Sequence, residues 1–169
     1  TFDDLRDIQA AQARGRRLWG QVSPCPLTNE FTLKSPYPFE GLKAWLPAMK
    51  APVAKLPAIY ADPGFRAAVR EELTRPAKVR LFNGEWHKVD VVETRKPGNA
   101  RLEHRSIAAL AQQAGKDPLD FMLDLALEED LDTVFSAVLL NSDEDAVARM
   151  LNHPASLVSL SDAGAHLSF

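Results

Sequence analysis

Seven of the chain's twelve prolines fall between Pro24 and Pro57, at positions 24, 26, 36, 38, 47, 52 and 57. Proline has no N–H to donate and holds φ near about −65°, so it breaks helices and strands from within. A stretch interrupted every few residues is expected to be an irregular insertion. It nevertheless carries Phe31, Tyr37, Phe39, Leu42, Trp45, Leu46 and Met49, too much apolar surface for a disordered linker. The expectation is an ordered segment packed over something, either a lid or a cover for core.

Both flanks of this segment read as regular structure. Ahead of it, Phe2, Leu5 and Ile8 share one helical face of a segment that stops at Gly15, a residue suited to a left-handed C-terminal cap. Arg17 to Val22 then makes a short strand ended by Pro24. After it, Asp62 and Pro63 are an N-cap followed by a proline at the first helical position, and Phe65, Val69 and Leu73 repeat every four residues up to Pro76. Val89, Val91 and Val92 predict a strand within Trp86 to Thr94, closed by Pro97, Gly98 and Asn99.

Ser106 begins a helix that ends at Gly115, and Asp117 with Pro118 begins a second that bears Leu119, Met122, Leu123 and Leu127, so a helical hairpin is expected. Thr133 to Leu140 has the length and composition of a buried strand. Ser142 with Asp145 approximates a capping box for a helix whose core face is Val147, Met150 and Leu151. His153 and Pro154 break that helix, and Leu157 to Leu160 predicts a last strand running into Ser161, Asp162, Ala163, Gly164, Ala165 and His166. Helices alternating with strands indicate an α/β fold. Candidate boundaries lie near Pro24 and Arg105, which makes 24–104 the insertion and 105–169 the last helices and strand.

Composition narrows the possible functions. With 169 residues, 46% hydrophobic and 25% charged, the chain has the make-up of one ordinary domain. A net charge of −3 with scattered Lys and Arg gives no footprint for a phosphate backbone, so nucleic acid is not an expected partner. No stretch approaches the roughly 20 apolar residues of a membrane span. A single cysteine, Cys25, cannot form an internal disulfide and fits a reducing compartment, with the cytoplasm as the default. No glycine-rich phosphate loop follows a strand, which argues against a nucleotide-binding domain.

Asp162 is the leading candidate for chemistry. It follows an apolar strand and precedes a small-residue turn, so its carboxylate is expected at a carboxyl-terminal strand end, where α/β barrels gather catalytic groups. A carboxylate there can take a proton from an attacking water and return it to a leaving nitrogen, as amide hydrolysis requires. An Asx turn or helix cap is the alternative for the same pattern. His87 in a strand, His104 before a helix and His153 at a helix end show no ligand spacing, and no HxH, HExxH or CxxC occurs. Cys25 has no evident base partner and reads as a small buried thiol.

Leu157 to His166, read as LVSLSDAGAH, resembles the eighth strand of the N-acyl-D-amino-acid deacylase branch of the amidohydrolase superfamily. The Ala13-Arg14-Gly15 helix end, the proline-rich continuation, Arg105 to Pro118 and Asn141 to Pro154 resemble that branch in the same order. The resemblance implies a (β/α)8 barrel with one or two zinc ions, of which this chain would be an internal fragment with an incomplete or rearranged sheet. It also implies that Asp162 is the general base and acid and that His166 orients substrate or supports Asp162. The zinc ligands would lie mostly on strands ahead of Thr1, with none in this fragment. The expected substrate is an N-acyl amino acid or a related amide. The fragment alone is expected to be inactive, and to pair with the missing barrel segment or a second copy. A non-catalytic truncated module with a structural or interaction role is the alternative.

Overall fold

The computed structural model describes residues 1–75, 77 and 80–159. In chain order the α-helices and strands are α1 (Phe2–Ala13), β1 (Gly20–Val22), β2 (Leu27–Phe31), α2 (Leu46–Met49), α3 (Leu56–Ala61), α4 (Pro63–Leu73), β3 (Val89–Glu93), β4 (Arg105–Ser106), α5 (Ile107–Ala114), α6 (Pro118–Glu128), β5 (Val134–Leu140), α7 (Glu144–Leu151) and β6 (Ser156–Val158). The protein is mixed α/β. Among the described residues the strands form a two-stranded and a four-stranded sheet, and neither closes into a barrel. No helix among those residues is long and apolar enough to cross a membrane.

Two compact units emerge, dividing at 27/28 and again at 139/140, whereas composition had suggested boundaries near Pro24 and Arg105. The first joins Thr1–Leu27 to the chain from Leu140 onward. Its sheet pairs β1 with β6 in parallel, Gly20 opposite Ser156 and Val22 opposite Val158. α1 ends in a Schellman turn: Gly15 takes φ +79°, its N–H donates to Gln12 O at 2.8 Å, and Arg16 N–H donates to Ala11 O at 3.1 Å. A Cβ at Gly20 would lie 2.8 Å from Leu5 Cδ2, so a larger residue there would make that side chain shift. The core of this unit is small, comprising Leu5, Val22 and Met150 with Leu151 packed against them.

The second unit, Thr28–Leu139, has its own large core. Its sheet runs β2-β5-β3-β4, with β3 antiparallel to both neighbours. Phe39 and Trp45 stack with centroids 4.3 Å apart, and Phe31, Phe82, Tyr60 and Phe65 meet this pair edge-on or tilted. Packing of this kind adds about 0.5–1.5 kcal/mol per aromatic pair to the area buried.

The proline-rich stretch therefore differs from the irregular loop expected of it. It contains β2, and several of its prolines start short helical turns. Pro47 and Pro57 lie in the first turns of α2 and α3, and Pro36 and Pro52 precede the 3-10 turns Tyr37–Phe39 and Val53–Lys55. At a helix start the missing N–H has no partner to lose, so proline helps there. Phe31, Phe39, Leu42 and Trp45 form core with α4 and β5 rather than cover a separate one.

Candidate functional site

The carboxyl ends of β1 and β6 lie side by side. Ser159 N–H donates to Val22 O at 2.9 Å and so carries the parallel ladder one residue past β6. Beyond β1 the chain turns through Ser23, Pro24 and Cys25, where Ser23 Oγ and Cys25 N–H meet at 3.4 Å. Asn141 pins this turn: its Nδ2 donates to Cys25 O at 3.3 Å and Ser23 O at 3.5 Å. Asn141 itself takes φ +57°, a left-handed conformation that asparagine accepts more readily than most residues. The turn thus presents a hydroxyl, an amide and the Cys25 thiol beside two strand ends. Cys25 is exposed, not buried as expected, because Pro24 and Pro26 keep it on a turn outside the small core.

Asp162 and His166, the leading sequence candidates, lie outside the described residues. The other histidines are dispersed. His87 falls in the 3-10 turn Trp86–Lys88 and not in the strand, which starts only at Val89. His104 takes φ +60° and donates its N–H to Val91 O at 2.7 Å, ahead of β4. His153 Nδ1 accepts the Ala155 N–H at 3.2 Å and so shapes the turn from α7 into β6. Among the described residues no three His, Cys, Asp or Glu side chains are grouped to hold a metal ion.

Two charged clusters in the second unit escaped the sequence reading. Glu129 is fully buried. Its carboxylate accepts Nδ2 of Asn99 at 2.6 Å, Lys96 N–H at 3.0 Å and Arg95 N–H. Burial works against its ionisation, but these donors outweigh it and hold the carboxyl below the usual range. The second cluster joins α4 to α6. Arg66 reaches Asp120 at 3.1 Å and Asp124 at 2.8 Å, while Arg70 reaches Asp120 at 2.9 Å and Asp117 at 3.5 Å. Lys116 adds a contact to Asp124 at 2.8 Å. Burial opposes ionisation of Asp124, yet Lys116 and Arg66 lower its pKa overall. The available signal was spacing: Arg66 and Arg70 lie four apart, and Asp117, Asp120 and Asp124 lie three and four apart, so each set shares a helix face. Every charge here has a partner, so the open cleft of about 850 Å³ beside them is walled by a structural ion-pair network.

Comparison with protein-family models, with curated proteins and with solved structures returned no match.

Proposed function

We propose that the chain belongs to a metal-dependent amidohydrolase that cleaves a C–N amide bond, with N-acyl-D-amino acids as its substrate class and Asp162 as its general base and acid. The parallel pairing of β1 with β6 carries this reading. Each strand is preceded by a helix, α1 or α7, and a compact insertion separates them in sequence while they remain neighbours in the sheet. Consecutive strands of a (β/α)8 barrel pair in this way, and their carboxyl ends carry the catalytic groups. Asp162 follows β6 by four residues in sequence.

Exposed apolar side chains support the partial-barrel reading. Leu157 and Val158 are 53% and 60% exposed although, as neighbours on a strand, they face opposite ways. Leu18, Trp19 and Leu140 of the same unit are also exposed. Parallel sheets are normally covered on both faces, and a two-stranded sheet alone is marginal. Further strands, from the rest of a barrel or from a second copy, would cover these residues.

In the proposed reaction water oxygen attacks the amide carbonyl carbon as its proton passes to the Asp162 carboxylate. Asp162 then gives that proton to the nitrogen as the C–N bond breaks, leaving a carboxylic acid and an amine. His166 orients the substrate or Asp162. Zinc, when bound, would polarise the carbonyl. No three His, Cys, Asp or Glu side chains among the described residues are grouped to hold it, and the resemblance implies ligands on other strands of the barrel.

Amine release from N-acetyl-D-amino acids by the whole parent enzyme, rather than by this fragment alone, tests this reading, with the L enantiomers and a chelator as further arms. Hydrolysis of the D series that is lost on chelation is expected. Absence of amine release, or activity indifferent to chelation, would count against it. The self-contained core of the second unit favours one other reading, a non-catalytic module. A parent protein that is itself monodisperse, metal-free and inert, by light scattering, metal analysis and the same assay, would support that instead.

A further inference from the structure

We infer that the second unit carries a binding groove for a free aliphatic carboxylate, independent of the amidohydrolase reading. The groove, about 600 Å³, opens where the 3-10 turn Lys43–Trp45, α3 and α4 converge. Volumes of roughly 300–1,000 Å³ suit small-molecule sites. Its apolar wall is built by Ala44, Ala58, Ile59, Phe65 and Ala68. Small side chains at Ala44, Ala58 and Ala68 leave the space open, and the buried Phe65 ring lies against Trp45 at 5.3 Å.

Charge selects the occupant. Lys43 and Lys55 line the same groove, both exposed, and neither ammonium has an ion-pair partner among the described residues. Among the groove's lining residues one carboxylate, Asp62, stands against the two lysines, so the charge there is net positive. Asp62, which also lines the groove, accepts the Phe65 N–H at 2.7 Å as the α4 cap. Glu72 accepts the N–H groups of Lys43 at 3.0 Å and Ala44 at 2.7 Å and faces Arg80. An apolar trough with two uncommitted cations fits an amphiphile with an alkyl tail and a carboxylate head. A neutral alkane would leave both lysines unused, and a cationic amphiphile would meet their repulsion.

Calorimetric titration of the full chain with monomeric dodecanoate tests this. Saturable one-to-one binding is expected, strengthening from octanoate to dodecanoate by up to about fourfold per methylene. Dodecyltrimethylammonium should bind more weakly. Replacing Lys43 and Lys55 together by Met should weaken dodecanoate roughly tenfold, on the order of threefold per exposed charge pair. Ala58→Trp should block the groove, with Ala68→Leu as a second obstruction and far-ultraviolet circular dichroism to verify folding. Absent saturation, equal affinity for the cation, or folded blocking variants that still bind would overturn the proposal. So would binding to anionic vesicles without binding to the monomer, which would mark the patch as a membrane-facing surface.

Discussion

Two buried polar side chains make the stability of the second unit sensitive to pH from both ends. Glu129 ionises below its ordinary range because Asn99, Lys96 and Arg95 donors overcome the effect of burial. A depressed folded pKa contributes stability above the unfolded value, and that stability is lost as pH falls through the folded one. Glu129→Ala leaves those donors unmatched and is expected to cost about 3 kcal/mol at neutral pH. Urea titrations across the acid range should also show a flatter acid limb for the variant than for the parent sequence. Tyr60 behaves oppositely. Burial pushes its hydroxyl up to about 12, and the group donates to Leu33 O at 2.7 Å. Its protonated form therefore stabilises the fold below the unfolded pKa of about 10, and the contribution disappears as pH rises through the folded value. Tyr60→Phe is expected to cost roughly 1 kcal/mol near neutrality. Relative to the parent, it should lose less stability between about pH 10 and 12.

At the scale of elements, capping residues were the most legible part of the sequence. Asp62, Ser106 and Asp117 each accept N–H groups at the helix starts their spacing predicted, and Gly115 takes φ +64° at the end of α5. Caps depend on near neighbours alone, so a sequence window contains the whole interaction. α7 shows the limit of that logic. Asp143 rather than Ser142 caps it, accepting Ala146 N–H at 2.9 Å, because adjacent residues both have capping side chains. β2 was hidden between Pro26 and Pro36, where Leu27 to Phe31 lacks clean alternation and is specified by its place beside β5. Glu129 was hidden for a similar reason: nothing local to Glu128, Glu129 and Asp130 marks which carboxylate the long-range donors of Asn99, Lys96 and Arg95 surround. The turn after β1 was legible from Pro24, which ends the strand, but its clasp by Asn141 spans more than a hundred residues. Asp117→Ala should destabilise the chain by about 1 kcal/mol, and by more than Ser106→Ala, because Asp117 also faces Arg70. Thermal or urea unfolding of the two variants side by side checks the order.

Across the whole molecule, the contrast lies in how much apolar surface each unit buries for itself. The second unit surrounds a stacked Phe39–Trp45 centre with helices and sheet, whereas the first has a small core and leaves Leu157, Val158, Leu18 and Trp19 in solvent. Native-state hydrogen exchange should therefore show slow amides in β3, β5, α5 and α6, and faster exchange in α1, β1, α7 and β6. Equal protection in the two sets would mean that the first unit needs no further strands. In the proposed reaction one carboxylate, Asp162, moves the proton in amide cleavage. The most direct test is the turnover of N-acetyl-D-amino acids by the whole parent enzyme carrying Asp162→Asn beside the unsubstituted enzyme. The expected result is a fall in kcat of about 10²- to 10⁴-fold with KM little changed and zinc content preserved. Undiminished kcat in the variant would contradict it.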